Sequence, residues 1–241
     1  MRATSRRTLL TVLLLPVLSL GTLGALAASV VVLPPQMPAD ERARLERLAE
    51  AAAVATRVDT EPFLARRDVF DYLLDHPDFA THVTRTLRLA RYRIWRTPEG
   101  MFLDDGWGAT GHFTVVHADA SRRVMYARGA YRQAVLPAIN GEAVVMIEYE
   151  ATPAGDGRDR VRATVSGFVK LDSSALSLAI KIAAPIAQRK ADLEARRLMR
   201  TFARASRLID SNPADVYERL RQRPDVPARE LEEFGRLLRT R

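Results

Sequence analysis

Residues 171–209 constrain the fold of this chain more than any other stretch. From Leu171 to Ile209 the pattern reads as one long helix that directly follows the last clear strand. In its second half Ala191, Ala195, Leu198, Phe202, Ala205 and Ile209 recur in steps of four and three, which puts all six on one helix face. In its first half, Ser174 to Ala187, apolar residues occur nearly all round. Such a helix needs a broad apolar surface to cover it, and a curved antiparallel sheet is what the preceding residues offer. Pro185 removes one backbone bond inside the helix, so a bend near Lys181 and a movable lid at that junction are expected.

The sheet announces itself where the apolar period changes to two, from Arg91 onward. Tyr92, Ile94 and Trp95 share one strand, and Thr97-Pro98-Glu99-Gly100 ends it. Met101 and Leu103 open the next, on the face opposite Phe102. Residues 112–117, 122–131 and 143–149 follow as strands, with Asn140-Gly141 as a turn before the last. Thr152 to Asp159 reads as a polar loop. After it Val161, Ala163, Val165, Gly167 and Val169 alternate with partners of opposite face, the clearest half-buried strand.

Upstream of the sheet, Arg57 to Thr60 suits a short first strand. Asp68 precedes Val69, Phe70, Leu73 and Leu74 on one helix face, and Pro77 opens a second short helix through Phe79, Val83 and Leu87. Earlier still, Pro34, Pro35 and Pro38 form a stiff linker, and Asp40 is placed to cap a helix over Glu41 to Val54. That helix is either a spacer or a cover lying along the domain. Beyond Asn212-Pro213, residues 214–221 and 228–238 read as two small helices in a basic tail that packs loosely.

The 241 residues suit one domain with a modest appendage. The net charge is +8, and three of those charges (Arg2, Arg6, Arg7) precede an uncharged run from Thr8 to Leu33, leaving +5 for the rest. A basic start, an apolar run and Ala25-Leu26-Ala27 make an export signal. The run is also long enough to span a bilayer uncleaved, so a cleaved signal and an inner-membrane anchor both fit. Ser5-Arg6-Arg7-Thr8-Leu9-Leu10 is a weak twin-arginine match, lacking the following lysine. Either way the expected location is exported: periplasmic, or anchored with the domain in the periplasm. The chain has no cysteine, which excludes disulfides, thiolate catalysis and a lipidated N-terminal cysteine.

The order is therefore a strand, two short helices, an antiparallel meander and one long C-terminal helix. With the stretch Asp68-Val69-Phe70-Asp71-Tyr72-Leu73-Leu74-Asp75-His76-Pro77-Asp78-Phe79, it resembles the START-like (SRPBCC) helix-grip superfamily of lipid-transfer domains, polyketide cyclases and coenzyme Q-binding proteins. The fold expected is α+β, a curved antiparallel sheet gripping a long C-terminal helix, with two short helices after the first strand. The division expected is 1–33 signal or anchor, 34–57 linker and helix, 58–210 helix-grip domain and 211–241 helical tail. The resemblance implies a cavity between sheet and helix for an apolar ligand, and no shared catalytic residues.

Residues placed to line such a cavity are Tyr92, Ile94, Phe113, His117, Tyr131, Met146, Tyr149, Leu198 and Phe202. A slip of one residue in strand parity would turn several of them outward. Small residues at Ala127, Gly129, Ala163, Gly167, Ala191, Ala195 and Ala205 serve either close packing or ligand space. Gly106 to Gly111 has G-x-G-x-x-G spacing, but a strand rather than a helix follows it, so it reads as a loop with Trp107 at its tip. The four histidines lack zinc spacing, no G-x-S-x-G elbow is present, and no catalytic residue, metal or cofactor is assigned. Glu148 and Glu150 share a strand face as solvated or arginine-paired carboxylates.

The leading expectation is an envelope protein that binds or carries a lipid or other apolar small molecule. A membrane-tethered interaction domain with a packed core is the second. A cyclase- or hydrolase-type enzyme using the same cavity is the third, and it needs His117 with Tyr126 or Asp105 to converge. An anionic membrane surface is a further expected partner, drawn to arginines such as Arg85, Arg88, Arg91, Arg93 and Arg96. Nucleic acid is not expected, and the sequence leaves the oligomeric state open.

Overall fold

A computed structural model of the protein describes residues 32–133, 136–172 and 177–239. Residues 1–31 of the signal or anchor expected over 1–33 lie outside them, as do most side chains of the apolar stretch 174–187. No described helix is long and apolar enough to cross a membrane.

The elements are α1 (Ala39–Glu50), β1 (Val54–Asp59), β2 (Phe63–Ala65), α2 (Arg67–Asp75), α3 (Pro77–Thr86), β3 (Arg93–Thr97), β4 (Gly100–Asp104), β5 (Ala109–Ala118), β6 (Arg122–Gln133), β7 (Leu136–Gly155), β8 (Arg158–Leu171), α4 (Ser177–Ser211), α5 (Pro213–Arg221) and α6 (Ala228–Arg239). The sheet order is β1-β8-β7-β6-β5-β4-β3, antiparallel throughout, with β2 also paired to β8. The α+β class, the two short helices after the first strands and the long C-terminal helix are as expected. The last strand runs on to Leu171, and the helix begins at Ser177 and passes through Pro185 as one element.

One expected break is absent and another is shortened, because paired strands run through them. Asn140-Gly141 is not a turn: Asn140 pairs with Ala130, and Gly141 pairs with both Gly129 and Leu171. A Cβ on Gly141 would come within 2.6 Å of the Lys170 carbonyl oxygen, so the glycine is there for close backbone approach. The polar loop at 152–159 shrinks to Asp156-Gly157, both with positive φ (51° and 75°), a two-residue hairpin turn of the hand that suits twisted strands. Asp40 does not cap α1 either. Pro38 holds that position, and Asp40 and Glu41 occupy the first turn, where carboxylates meet the positive end of the helix dipole.

The two faces of the sheet are covered differently. On the concave face, α4 lies over β1, β2 and β8. Ala195 and Met199 pack there against Phe63, Phe70, Ile147, Tyr149, Val161, Ala163 and Val165. On the convex face, Leu45 and Leu48 of α1, with Leu33 and Met37 before it, cover Val124, Val144 and Met146. Of the two readings of α1, spacer or cover, it is the cover. This also explains why Val165 to Phe168 of β8 are all buried rather than alternating: the strand is enclosed from both sides.

The C-terminal tail packs firmly. Val216, Leu220 and Phe234 are buried against Val69, Leu73, Phe79, Val83 and Ile209. The Tyr72 hydroxyl donates to the Glu230 carbonyl oxygen at 3.0 Å, holding α6 to α2.

Candidate functional site

Strand register decides which residues can face α4. Val145, Ile147 and Tyr149 on β7 pair with Gly167, Val165 and Ala163 on β8, and these belong to the concave core. The same parity carries across β6 to Met125 and Ala127, across β5 to Val115, Phe113 and Gly111, across β4 to Met101 and Leu103, and across β3 to Ile94. Ile94, Met101, Leu103 and Phe113 are only half-buried, Val115 is 41% exposed, and none of the five joins a packed core cluster. Among the described residues, α4 does not cover them, because its described side chains pack over β1, β2 and β8. Among the described residues the concave face is therefore split into a filled half under α4 and an apolar trough over β3–β6.

The expected cavity residues fall into four groups. Ile94 and Phe113 line the trough. Tyr149, Leu198 and Phe202 belong to the filled half, where the rings of Phe63, Tyr149 and Phe202 stand edge-on to Phe70 at 5.1–5.9 Å between centroids. Tyr92 and Tyr131 lie at one end, beside Lys190. Met146 and His117 are on the other side of the sheet. Met146 pairs with Val124 and Ser166 and is buried with the residues that α1 covers. His117 follows a β-bulge after Val115, so its partner is Val124 and its imidazole meets Asp119 at 3.1 Å. The bulge shifts parity by one residue, which strict alternation could not foresee. Of the small residues, Ala163, Ala195 and Ala205 are buried in close packing, while Ala127 lies in the trough.

The groups named for catalysis do not converge. Tyr126 lies on the convex face, where its hydroxyl donates to Glu142 and the Arg44 guanidinium sits 4.2 Å from its ring centre. Asp105 is on the opposite side, at the start of the β4–β5 loop.

That loop meets α4 in the most elaborate polar cluster among the described residues. Asp105 is 2% exposed and accepts from the backbone N–H groups of Trp107 (2.7 Å) and Ala109 (2.9 Å) and from the Lys190 ammonium. Lys190 also donates to Glu194 at 3.0 Å. Glu194 accepts from the Tyr92 hydroxyl at 2.6 Å and from Arg197 at 2.7 Å. The Arg197 guanidinium lies 4.0 Å from the centre of the Trp107 ring, and the Lys190 ammonium 5.3 Å from that of Tyr131. On the far side of α4, Gln188 bonds both backbone groups of Ala55. The helix is thus tied to β1 on one flank and to the β4–β5 loop on the other, which closes one end of the trough. The Trp107 loop was legible in the sequence; its latch to Lys190 was not. The available signal was Lys190 itself, one of three lysines in a chain otherwise furnished with arginine, on a helix face that turns inward.

Several of these groups hold their protons more tightly than they would in water. Burial, then the bond to Glu194, pushes the Tyr92 hydroxyl up, and burial with the bond to Asp71 pushes Tyr149 up to about 12. Burial with Glu233 raises Tyr72. Burial alone would lower the Lys190 ammonium, but its bonds to Asp105 and Glu194 outweigh that and raise it. Each folded-state value lies above its unfolded value, so this stability is complete below the unfolded pKa of tyrosine, about 10, and is lost as pH rises beyond it. We expect Tyr72, Tyr92 and Tyr149 to ionise together with the loss of far-ultraviolet circular dichroism. Tyrosinate absorbance that developed fully near pH 10 with the dichroism intact would contradict this.

With a long C-terminal helix held across a curved antiparallel sheet behind two short helices, the arrangement is settled. The fold is a helix grip. No family model and no curated protein matches the chain. Among solved structures, Ara h 8.0201 aligns at 12% identity and a TM-score of 0.36, over 66% of this chain and 99% of that one. XoxI from Bacillus cereus aligns at 11% and 0.35, over 65% and 98%. Norcoclaurine synthase from Thalictrum flavum, in a complex with dopamine and hydroxybenzaldehyde, aligns at 16% and 0.36, over 66% and 88%. Likenesses this distant say nothing of ligand or activity here.

Proposed function

We propose that this helix-grip protein binds a lipid or other apolar small molecule in the trough over β3–β6, outside the cytoplasm. The observation that carries the reading is the set of half-open apolar side chains, Ile94, Met101, Leu103, Phe113 and Val115, on the part of the concave face that no described residue of α4 covers. A half-open apolar strip, with Arg96 beside Ile94 on the same face of β3, is what soluble proteins otherwise avoid exposing. A ligand burying about 300 Å² of apolar surface there would gain on the order of 7 kcal/mol before the costs of association. The basic start and uncharged run to Leu33 support delivery to the envelope.

The filled half of the concave face favours a second reading, a tethered interaction domain whose trough receives an apolar segment of a partner protein. Both readings need the trough, and they differ in its occupant. Native mass spectrometry of protein purified from its own envelope, with extraction of bound lipids, separates them. We expect an adduct of lipid mass, and we expect Phe113→Arg to abolish it and to weaken binding of the apolar probe N-phenyl-1-naphthylamine at least roughly tenfold, without unfolding a chain whose core excludes Phe113. A bare chain with no probe binding would refute the ligand reading.

A further inference from the structure

We propose that the outer face of α4 docks on an anionic bilayer surface. Arg189, Arg196, Arg200, Arg204 and Arg207 are all exposed, with Pro185 and Leu193 exposed among them. Their spacing of three and four places all seven within about 100° of arc on the helix. The arginines run along roughly 27 Å of axis, at about 1.5 Å per residue. Among the described residues, none of the five is in an ion pair or a side-chain hydrogen bond, although most other charges in the chain are paired.

The acidic residues of the same helix do not neutralise this stripe. Asp192 accepts from Gln188, Glu194 is taken up by Tyr92, Lys190 and Arg197, and Asp210 lines a cleft beside Arg66 and Arg158. The inner face of α4, with Ala195, Met199, Ala205 and Ile209 buried, is committed to the core. The stripe therefore faces away from the sheet, and docking does not require a trough ligand.

A bilayer fits better than another polyanion for two reasons. Leu193 is 44% exposed inside the stripe and Leu208 is 40% exposed at its edge. Isolated leucines gain nothing from a phosphate backbone, whereas a lipid interface takes up both their side chains and the aliphatic stems of arginines. The same chain also carries the uncharged run Thr8–Leu33, long enough to reach or cross a bilayer.

Because the chain has no cysteine, Leu193→Cys places a single environment-sensitive label on the stripe, and Glu99→Cys, at the β3–β4 turn, places one away from it. The full-length labelled chains are combined with vesicles of phosphatidylcholine alone or mixed with phosphatidylglycerol, bearing a nitroxide lipid as quencher. Any attachment by the N-terminal run is the same in both. We expect quenching at position 193 only with phosphatidylglycerol, reversed by raised salt, and little at position 99. Arg196→Gln with Arg200→Gln should weaken this docking roughly 30-fold, with unchanged circular dichroism, since neither side chain touches the core. The proposal is overturned by equal quenching at both positions or in both vesicle types, or by docking that the double variant leaves intact. It is overturned equally if RNA or an acidic polypeptide shields the label where phosphatidylglycerol does not.

Discussion

Phe70→Ala is expected to cost the folded chain about 4 kcal/mol. Phe70 is 2% exposed on α2, and its ring meets Phe63 of β2, Tyr149 of β7 and Phe202 of α4 edge to face. It is the piece around which sheet, α2 and α4 close. Truncation removes the transferred apolar surface and the aromatic edge contacts. It also leaves a void that three rings from three different elements cannot collapse together to fill. For a chain of this length the melting temperature should fall by roughly 8–16 °C. In guanidinium titration the midpoint should move with little change in slope. A loss under about 1 kcal/mol would mean that the half of the sheet under α4 is not packed as described.

Asp105→Ala is expected to cost about 3 kcal/mol. The substitution takes away the acceptor for two loop N–H groups and strands the Lys190 ammonium, 15% exposed at its side chain, with Glu194 as its remaining partner. Breaking one side of a buried pair usually costs more than the pair itself contributes, because the surviving charge stays buried. The effect should therefore be relieved by a second change: Asp105→Ala with Lys190→Met should be more stable than Asp105→Ala alone. Thermal melts of the two singles and the double form the cycle that measures it. Strictly additive losses would show that the two side chains are not coupled. In ligand-binding terms the latch holds the Trp107 loop against α4, so the single variant should also loosen probe binding in the trough.

The two experiments bear on different parts of one argument about the fold. Phe70 was placed correctly on a short helix by its spacing with Val69, Leu73 and Leu74, because a helix period of 3.6 is visible in the chain itself. Asp105 could not be paired in advance with a lysine 85 residues away, since nothing local marks that contact. The candidate cavity shows the same division. Ile94 and Phe113 were placed on the concave face by alternation alone. Met146 and Tyr149 stand three residues apart on one strand, so alternation cannot put both on the concave face, and Met146 lies on the other; His117 lies there too because a bulge after Val115 consumes one residue.

The class and order of the elements, the helix seam from Ala191 to Ile209 and the loop at Trp107 were determined by sequence, because local periodicity and turn chemistry act over a few residues. Coverage was decided only in three dimensions. That α1 shields the convex face, that α5 and α6 pack on α2 and α3, and that the described part of α4 crosses over β1, β2 and β8 rather than β3–β6 all depend on which apolar faces compete for one another. That competition runs between segments far apart in the chain, and it is settled by the total surface removed from water. The long helix was recognisable from its own residues; which half of the sheet it would leave open was not.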